Sequence, residues 1–406
     1  MELLIYLILF LLVLIVSSTT NKLLPFLPLP LVQILLGIVI GLFLPNTDFH
    51  LNTELFLALV IGPLLFRESE EADITAILKH WRIIVYLIFP VIFISTLSLG
   101  GLAHLLWLSL PLAACLAVGA ALGPTDLVAF ASLSERFSFP KRVSNILKGE
   151  GLLNDASGLV AFQVALTAWT TGAFSLGQAS SSLIFSILGG FLIGFLTAMT
   201  NRFLHSFLLS VRATDIASEL LLELSLPLVT FFLAEEVHVS GIIAVVVAGI
   251  LKASRFKKIT LLEAQVDTVT ETVWHTVNFM LNGSVFVILG MELEMIAEPI
   301  LTNPIYNPLL LLVSLIALTF VLFAIRFVMI YGYYAYRTRR LKKKLNKYMK
   351  DMLLLTFSGV KGTVSIATIL LIPSNLEQEY PLLLFLVAGV TLVSFLTGLV
   401  VLPHLS

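Results

Sequence analysis

Two aspartates stand where the sequence carries almost no other charge. Asp126 ends a run without Asp, Glu, Lys or Arg that begins after Arg82, and Asp155 precedes a similar run that extends to Arg202. Such runs predict membrane-spanning helices, in which a charged side chain is costly and is typically retained for function. The sequence therefore predicts that Asp126 and Asp155 belong to a functional site inside a membrane.

Asp155 lies in the segment Gly149–Gly158, which reads GEGLLNDASG. On a helix, Gly151, Asp155 and Gly158 share one face, where the glycines leave room for an ion and water. Desolvation makes a carboxyl group hold its proton near physiological pH, so it binds either a proton or a metal cation. The sequence predicts that Asp155 exchanges one for the other. The alternative, an N-cap role for Asp155, is disfavoured because the two leucines before Asn154 already read as helix.

Glu150 and Asn154 are one helical turn apart and share a different face of this segment. Arg326 is the only Arg deep inside a predicted span. We therefore expect Glu150 and Arg326 to form a buried bidentate ion pair that holds two helices in register. Asn154 is expected to cap or orient its neighbours without carrying charge.

Two predicted spans are interrupted by glycine or proline next to a charge. In the segment Gly123–Asp126 the proline lacks an N–H, so we expect the helix to open and to free carbonyl groups for a cation. In the segment Ser358–Thr363 two glycines flank Lys361. The alternatives are a proline kink with a capping Asp126, and a Lys361 that extends to the membrane interface.

The two interruptions occupy corresponding places in the two halves of the chain. This pattern predicts two inverted repeats whose discontinuous helices cross near the bilayer centre, an arrangement typical of transporters. There, Asp126 and Lys361 are expected to offset the helix-end dipoles that face each other.

The elements that must position these residues are helices. With 58% hydrophobic and 12% charged residues, the chain does not have the composition of a soluble domain. Its single cysteine excludes a disulfide framework and a Cys-based metal site. We predict an all-α polytopic membrane protein with thirteen spans at roughly 2–17, 28–44, 53–66, 83–105, 112–133, 142–169, 176–201, 217–234, 239–254, 272–290, 306–334, 350–371 and 380–402.

These spans are expected to form one transmembrane domain, 1–406, without a soluble regulatory domain. The transport bundle is predicted at roughly 83–169 and 306–371, with the remaining helices as scaffold. Every Lys and Arg except Arg326 and Lys361 falls in or beside an odd-numbered loop between these spans. By the positive-inside rule, the N-terminus is expected outside and the C-terminus in the cytoplasm of a cell-membrane protein.

Further acidic residues lie outside the two interruptions. The stretch 66–73 contains four acids, which either line a funnel that attracts cations or form a solvated loop. Glu68, nearest to the apolar run, is the preferred functional candidate. Glu219 and Glu223, one helical turn apart, are expected on a solvated face.

Three motifs together resemble the NhaP/NHE-type sodium–proton antiporters, in their Asn-Asp class. They are Gly-Pro-Thr-Asp at 123–126, Gly-Glu-Gly-Leu-Leu-Asn-Asp-Ala at 149–156 and Lys-Gly-Thr-Val-Ser at 361–365. The resemblance covers essentially the whole chain. It implies the NhaA-like antiporter fold with thirteen helices, a homodimer, and usually the electroneutral exchange of one Na⁺ for one H⁺, with no cofactor.

The resemblance also implies roles for single residues. Asp155 is the implied ion-binding aspartate, Thr125 the source of a backbone carbonyl ligand, and Glu68 the acid of the third span. At Gly151 the family often has Ser, so water would replace a hydroxyl ligand here. At Lys361 it usually has Arg, and a lysine gives up its proton more readily.

The predicted function is therefore Na⁺/H⁺ antiport by alternating access, with Asp155 and Asp126 as the Na⁺-binding carboxylates. A K⁺/H⁺ or Li⁺/H⁺ antiporter of the same fold is the first alternative. A cation channel, an intramembrane aspartyl protease and an organic-anion carrier are less favoured. The interrupted inverted halves disfavour a channel, the protease signatures are absent, and two aspartates do not suit an anion site. Nucleic acid is not an expected partner.

Overall fold

In the part of the chain that the computed structural model describes, all regular secondary structure is helical. The residues outside the description are 1, 25–28, 44–52, 73, 127–129, 131–138, 173–175, 212–214, 254–260, 303–305, 341, 343, 373–378 and 406. Some side chains within helices also lie outside it, and that of Asp155 is one of them. The prediction of an all-α protein is confirmed for the described residues.

The helices follow the predicted spans closely. In chain order they are α1 (Glu2–Leu23), α2 (Leu29–Phe43), α3 (Thr53–Phe56), α4 (Gly62–Glu70), α5 (Ile74–Lys79), α6 (Trp81–Tyr86), α7 (Ile92–Leu106), α8 (Leu112–Ala121), α9 (Lys141–Thr171), α10 (Leu176–Ser210), α11 (Ile216–Glu236), α12 (Gly241–Ala253), α13 (Leu261–Thr302), α14 (Pro308–Arg340), α15 (Met349–Phe357), α16 (Thr363–Ile369) and α17 (Tyr380–Leu405). Short π-helical turns, Leu57–Ile61 and Leu87–Val91, continue α3 into α4 and α6 into α7. Each of the thirteen predicted spans overlaps at least one of these helices.

Six helical stretches in the described part of the chain are long and apolar enough to cross a membrane by themselves. They are Trp81–Leu106, Ile184–Ser210, Ile216–Glu236, Thr268–Met295, Pro308–Arg340 and Tyr380–Leu405. Shorter apolar helices include Leu112–Ala121 and Gly241–Ala253. The total of thirteen spans stays a prediction.

The chain divides into two compact units. The first contains Met1–Asp48, Thr75–Phe174 and Gly283–Ser406, and the second contains Phe49–Ile74 and Ser175–Asn282. Both segments of the predicted transport bundle belong to the first unit. In the second unit, α12 packs against α4, α10 and α11.

Small residues let the helices of the first unit approach closely. A side chain at Gly119 of α8 would collide with the Thr96 carbonyl of α7, and one at Gly100 would press on the backbone of α8. Helix α8 packs along both α7 and α9, and it also contacts α16 and α17. This crowding holds the end of α8 in a fixed position, which matters because the first interruption begins there.

Both predicted interruptions are present. Helix α8 ends at Ala121, so the predicted span 112–133 opens before Pro124, whose missing N–H cannot continue the ladder. Helix α15 ends at Phe357 and α16 begins at Thr363, which leaves the glycine-flanked Lys361 outside both helices. In each case the helix ends close to the glycine or proline residues that predict the interruption.

Candidate functional site

The two interruptions meet in the first unit through their backbones. The Asp126 N–H donates a hydrogen bond of 3.1 Å to the Val360 carbonyl. The Lys361 N–H donates a hydrogen bond of 3.1 Å to the Ser394 hydroxyl of α17. Two extended segments thus satisfy backbone groups that no helix satisfies, as buried backbone requires.

The Lys361 side chain reaches from the second interruption into the first. Its ammonium Nζ donates to the carbonyl oxygens of Gly123 at 2.8 Å and Pro124 at 2.6 Å. Lys361 is only 1% exposed, so the ammonium lies in the protein interior rather than at an interface. These carbonyls directly follow the C-terminal end of α8, where a cation offsets the negative end of the helix dipole.

The Asp126 side chain extends in the opposite direction, from the first interruption to the second. Its carboxylate lies against Gly362, the residue that precedes α16, so closely that a side chain at position 362 would collide with it. Asp126 is 4% exposed. A carboxylate at the start of a helix is favoured by the positive end of the dipole. The site therefore places one buried charge of each sign at the helix end that suits it.

Glu150 of α9 and Arg326 of α14 form a buried bidentate ion pair. The two N–H···O distances are 2.6 Å and 2.8 Å. The Arg326 Nε also donates to the Leu355 carbonyl of α15 at 2.9 Å. Glu150 is 0% and Arg326 4% exposed, so the pair is removed from solvent. One guanidinium thereby ties three helices together.

Thr125 connects this ion pair to Asn154. Its hydroxyl donates to the Glu150 carboxylate at 3.2 Å and accepts from the Asn154 side-chain amide at 3.1 Å. Glu150 and Asn154 therefore both hydrogen-bond Thr125, as their position on one face of a helix predicts. The Asn154 Oδ1 is buried and accepts no hydrogen bond from the residues that the structure describes. A buried oxygen of this kind is a ready ligand for a cation or an ordered water.

The helix that carries Asp155 approaches the first interruption closely. A side chain at Gly158 would collide with the ring of Pro124, so only glycine permits this contact. Gly151 is buried. Asp155 belongs to α9 and directly follows Asn154, but its side chain lies outside the described residues. Its predicted role therefore stays a prediction.

The acidic stretch belongs to the second unit, and its first part lies in a helix. Glu68 and Glu70 lie in α4. Arg67 contacts Glu70 at 3.0 Å, and Lys252 lies 3.4 Å from the same carboxylate. Glu70 is thus engaged by two cations inside its unit, which contradicts the solvated alternative for this residue.

The expectation of a solvated face at Glu219 and Glu223 is wrong. Glu223 lies 2.8 Å from the Lys252 ammonium and accepts a hydrogen bond of 3.0 Å from the Trp274 indole. The Glu219 carboxylate lies 3.2 Å from the imidazole of His205. The sequence gives spacing along α11 but not the partners that other helices bring to it, which is why the prediction failed.

Sequence reasoning missed two groups of the site. Ser394 accepts from the Lys361 backbone, and the Leu355 carbonyl accepts from Arg326. A hydroxyl in an otherwise apolar stretch of α17 is a weak signal for Ser394, and a carbonyl acceptor leaves no sequence signal. Both groups orient residues of the site.

Comparison with known proteins gives consistent matches over the whole length. The sequence profile of the family "Sodium/hydrogen exchanger, transmembrane" matches residues 7–406. A relative from Bacillus pumilus (strain SAFR-032), named sodium, potassium, lithium and rubidium/H(+) antiporter, is 35% identical over 98% of this chain. The chain spans 61% of the length of that relative.

A second relative and a solved structure extend the comparison. The Na(+)/H(+) exchanger YjcE of Escherichia coli (strain K12), which is described as uncharacterized, is 31% identical over 100% of this chain and 76% of its own length. The structure of the sodium proton antiporter MjNhaP1 from Methanocaldococcus jannaschii at pH 8 has a TM-score of 0.68 and 19% identity. That match covers 100% of this chain and 96% of the other, and it shows a common fold.

Proposed function

Since the chain belongs to the sodium/hydrogen exchanger family, a multi-pass membrane family, we propose that it is a secondary antiporter that exchanges Na⁺ for H⁺. The observation that carries this proposal is the reciprocal crossing of Asp126 and Lys361 between two interrupted helices. Non-helical backbone at membrane depth is tolerated where it is buried in protein or lines a cavity, and crossed discontinuous helices typically form the substrate site of a transporter. The crossing is therefore the place where a cation is bound.

Asp155 is the group for which cation and proton compete. It directly follows Asn154, whose buried Oδ1 is a neutral ligand for a dehydrated Na⁺. The Thr125 carbonyl and the Asp126 carboxylate supply further oxygens, and hard cations prefer oxygen ligands. Gly151 leaves space for a water ligand. When Asp155 takes up a proton, the cation loses its principal counter-charge and leaves.

The fixed charges of the site keep the exchange electroneutral. Asp126 and Lys361 are opposite charges at the crossing, and Glu150 and Arg326 form an ion pair, so these four charges sum to zero. Only Asp155 changes its ligand, and it has the same net charge with one Na⁺ as with one H⁺. We therefore assign a stoichiometry of one cation for one proton, delivered by alternating access.

A wider cation range is the second candidate. It is favoured by the relatives from Bacillus pumilus and Bacillus subtilis, whose names include sodium, potassium, lithium and rubidium. Their sequences are both 35% identical to this chain. In this version K⁺ and Li⁺ replace Na⁺ at the same site.

The proposed architecture has thirteen spans in two inverted repeats, with the N-terminus outside and the C-terminus in the cytoplasm of the cell membrane. The asymmetric distribution of Lys and Arg supports this orientation. The helices of 83–169 and 306–371 carry the site and move as the transport bundle.

Glu68 attracts cations at the cytoplasmic mouth of the transporter. The assembly is a homodimer. Regulation of internal pH is the physiological role.

The proposal is tested with the purified chain in proteoliposomes that contain a pH-sensitive dye. Dissipation of a pH gradient is followed after addition of Na⁺, K⁺ or Li⁺, with and without an ionophore that shunts charge. We expect exchange that the ionophore does not accelerate. Acceleration would contradict electroneutrality, and cation current without proton movement would indicate a channel.

A matched pair of variants assigns the exchange to Asp155. Asp155→Asn is expected to abolish exchange while the protein remains monodisperse. Asp215→Asn is the control, because Asp215 caps α11 at an exposed position and Asn caps a helix equally well. Wild-type exchange by Asp155→Asn would refute the assignment of this residue.

A further inference from the structure

A strongly basic cavity lies in the first unit, away from the crossing. It has a volume of about 820 Å³ and opens between the N-terminal end of α6 and the C-terminal end of α14. Lys79 and Arg82 line one wall, and Arg337 and Arg340 line the other. None of the described lining residues is Asp or Glu. The four cations thus face one concave space without an acidic partner in its lining.

The charges around His80 indicate a positive field in this cavity. Burial, and then Arg142, Lys79 and Arg337, lower the pKa of His80 below its ordinary value. Asp351 is not among the lining residues and lies 3.5 Å from Arg142, with which it forms an ion pair. A cavity with this field favours an anion.

The cavity lies at the depth of lipid headgroups. The span Trp81–Leu106 begins at it, and the span Pro308–Arg340 ends at it. Trp81 and Tyr336, which also line it, are 52% and 70% exposed. Exposed Trp and Tyr at the end of a span are typical of the membrane–water interface, where their rings contact glycerol and acyl groups.

We propose that this cavity binds the phosphate group of an anionic phospholipid. The guanidinium groups of Arg82, Arg337 and Arg340 match phosphate oxygens in pairs, and Lys79 adds a compact charge. A basic run that only fixes membrane orientation needs no concave site, because the orientation rule counts charges without regard to their arrangement. The arrangement of these four cations around one space therefore points to a ligand.

The test is equilibrium binding of radiolabelled phosphatidylglycerol to the full chain, stripped of lipid in a neutral detergent. Unlabelled phosphatidylglycerol, phosphatidylcholine and inorganic phosphate serve as competitors. We expect saturable binding that only unlabelled phosphatidylglycerol reverses. Competition by inorganic phosphate at the same concentration would mean a site for soluble phosphate and would overturn the lipid assignment.

Two pairs of substitutions separate the cavity from general surface charge. Arg337→Gln with Arg340→Gln is expected to weaken binding roughly 30-fold, since each cation near the membrane surface contributes about a fivefold factor. Arg339→Gln with Lys344→Gln removes the same charge from exposed positions outside the cavity, and we expect no change. Equal losses in both pairs would overturn the proposal.

Two further double variants keep the test valid if the first double variant misfolds. If the Arg337 and Arg340 variant is not monodisperse, Lys79→Gln with Arg82→Gln tests the opposite wall with the same expected loss. Arg337→Lys with Arg340→Lys keeps both charges and is expected to retain most of the affinity. Wild-type affinity in the Lys79 and Arg82 variant would also contradict the cavity as the binding site.

Discussion

Asp126 and Lys361 belong to different interruptions, and the side chain of each lies at a helix end of the other interruption. The Lys361 ammonium donates to the carbonyls of Gly123 and Pro124 beyond the end of α8, and the Asp126 carboxylate lies against Gly362 at the start of α16. Each charge comes from one interruption and offsets the dipole at the other. Loss of either side chain therefore leaves one buried helix end without compensation and leaves the crossing with an unbalanced charge.

This reciprocal arrangement predicts that the contributions of Asp126 and Lys361 to the free energy of unfolding are strongly coupled. Lys361→Gln or Asp126→Asn alone is expected to destabilise the protein by about 3–5 kcal/mol, because each removes one of two opposite buried charges from the same crossing. The double variant is expected to lose less than the sum, with an interaction energy of roughly 0.5–3 kcal/mol. Unfolding free energies measured by denaturing-detergent titration of all four proteins give the cycle. Additive losses would show that the two charges act separately.

Gly362 tests the geometry of the crossing without changing charge. Gly362→Ala places a methyl group against the Asp126 carboxylate and must displace it. We expect the exchange rate in proteoliposomes to fall by about tenfold or more, the equivalent of 1.4 kcal/mol. Gly101→Ala is the control, because no described atom beyond the adjacent backbone of its own helix lies within 4 Å of its added methyl group. Equal rates for the two variants would mean that Asp126 tolerates movement.

Much of the site can be predicted from sequence because charge is rare in this chain. Asp126, Lys361 and Arg326 stand alone in apolar stretches, so the cost of burying them limits the partners that each can have. Proline and glycine mark where the helices open. The pairing of Glu150 with Arg326 follows from elimination, since no other Arg lies deep inside a predicted span.

The remaining contacts depend on three-dimensional packing. Lys252 is close to two carboxylates from different helices, Glu70 and Glu223, and helix periodicity along α11 carries no information about that meeting. Ser394 is one of several hydroxyls in α17, and only the path of the second interruption selects it. Periodicity gives the face of a helix, whereas its neighbours are set by how all helices pack.

The Glu150–Arg326 pair predicts a loss of stability that depends on which partner is removed. Glu150→Ala or Arg326→Ala is expected to cost about 3–5 kcal/mol and to reduce the folded yield, because the other charge stays buried. Folded yield and thermal unfolding of the purified protein are the measurements.

A surface ion pair is the control for this prediction. Arg67 lies 2.7 Å from Glu71, whose side chain is 57% exposed. Glu71→Gln is therefore expected to cost only about 0–1 kcal/mol. A stable and active Glu150→Ala, Arg326→Ala double variant would remove the structural role of the buried pair.

Thr125 predicts an effect on cation affinity as well as on stability. Thr125→Val keeps the shape but removes the hydroxyl that accepts from the Asn154 amide, which leaves a buried donor unpaired at about 1–3 kcal/mol. Because this amide orients the proposed Asn154 ligand oxygen, we expect the Na⁺ concentration for half-maximal exchange to rise by roughly tenfold, the equivalent of 1.4 kcal/mol. Thr125→Ser restores the hydroxyl and is expected to restore the affinity. Equal Na⁺ dependence of the Val and Ser variants would exclude Asn154 orientation through Thr125.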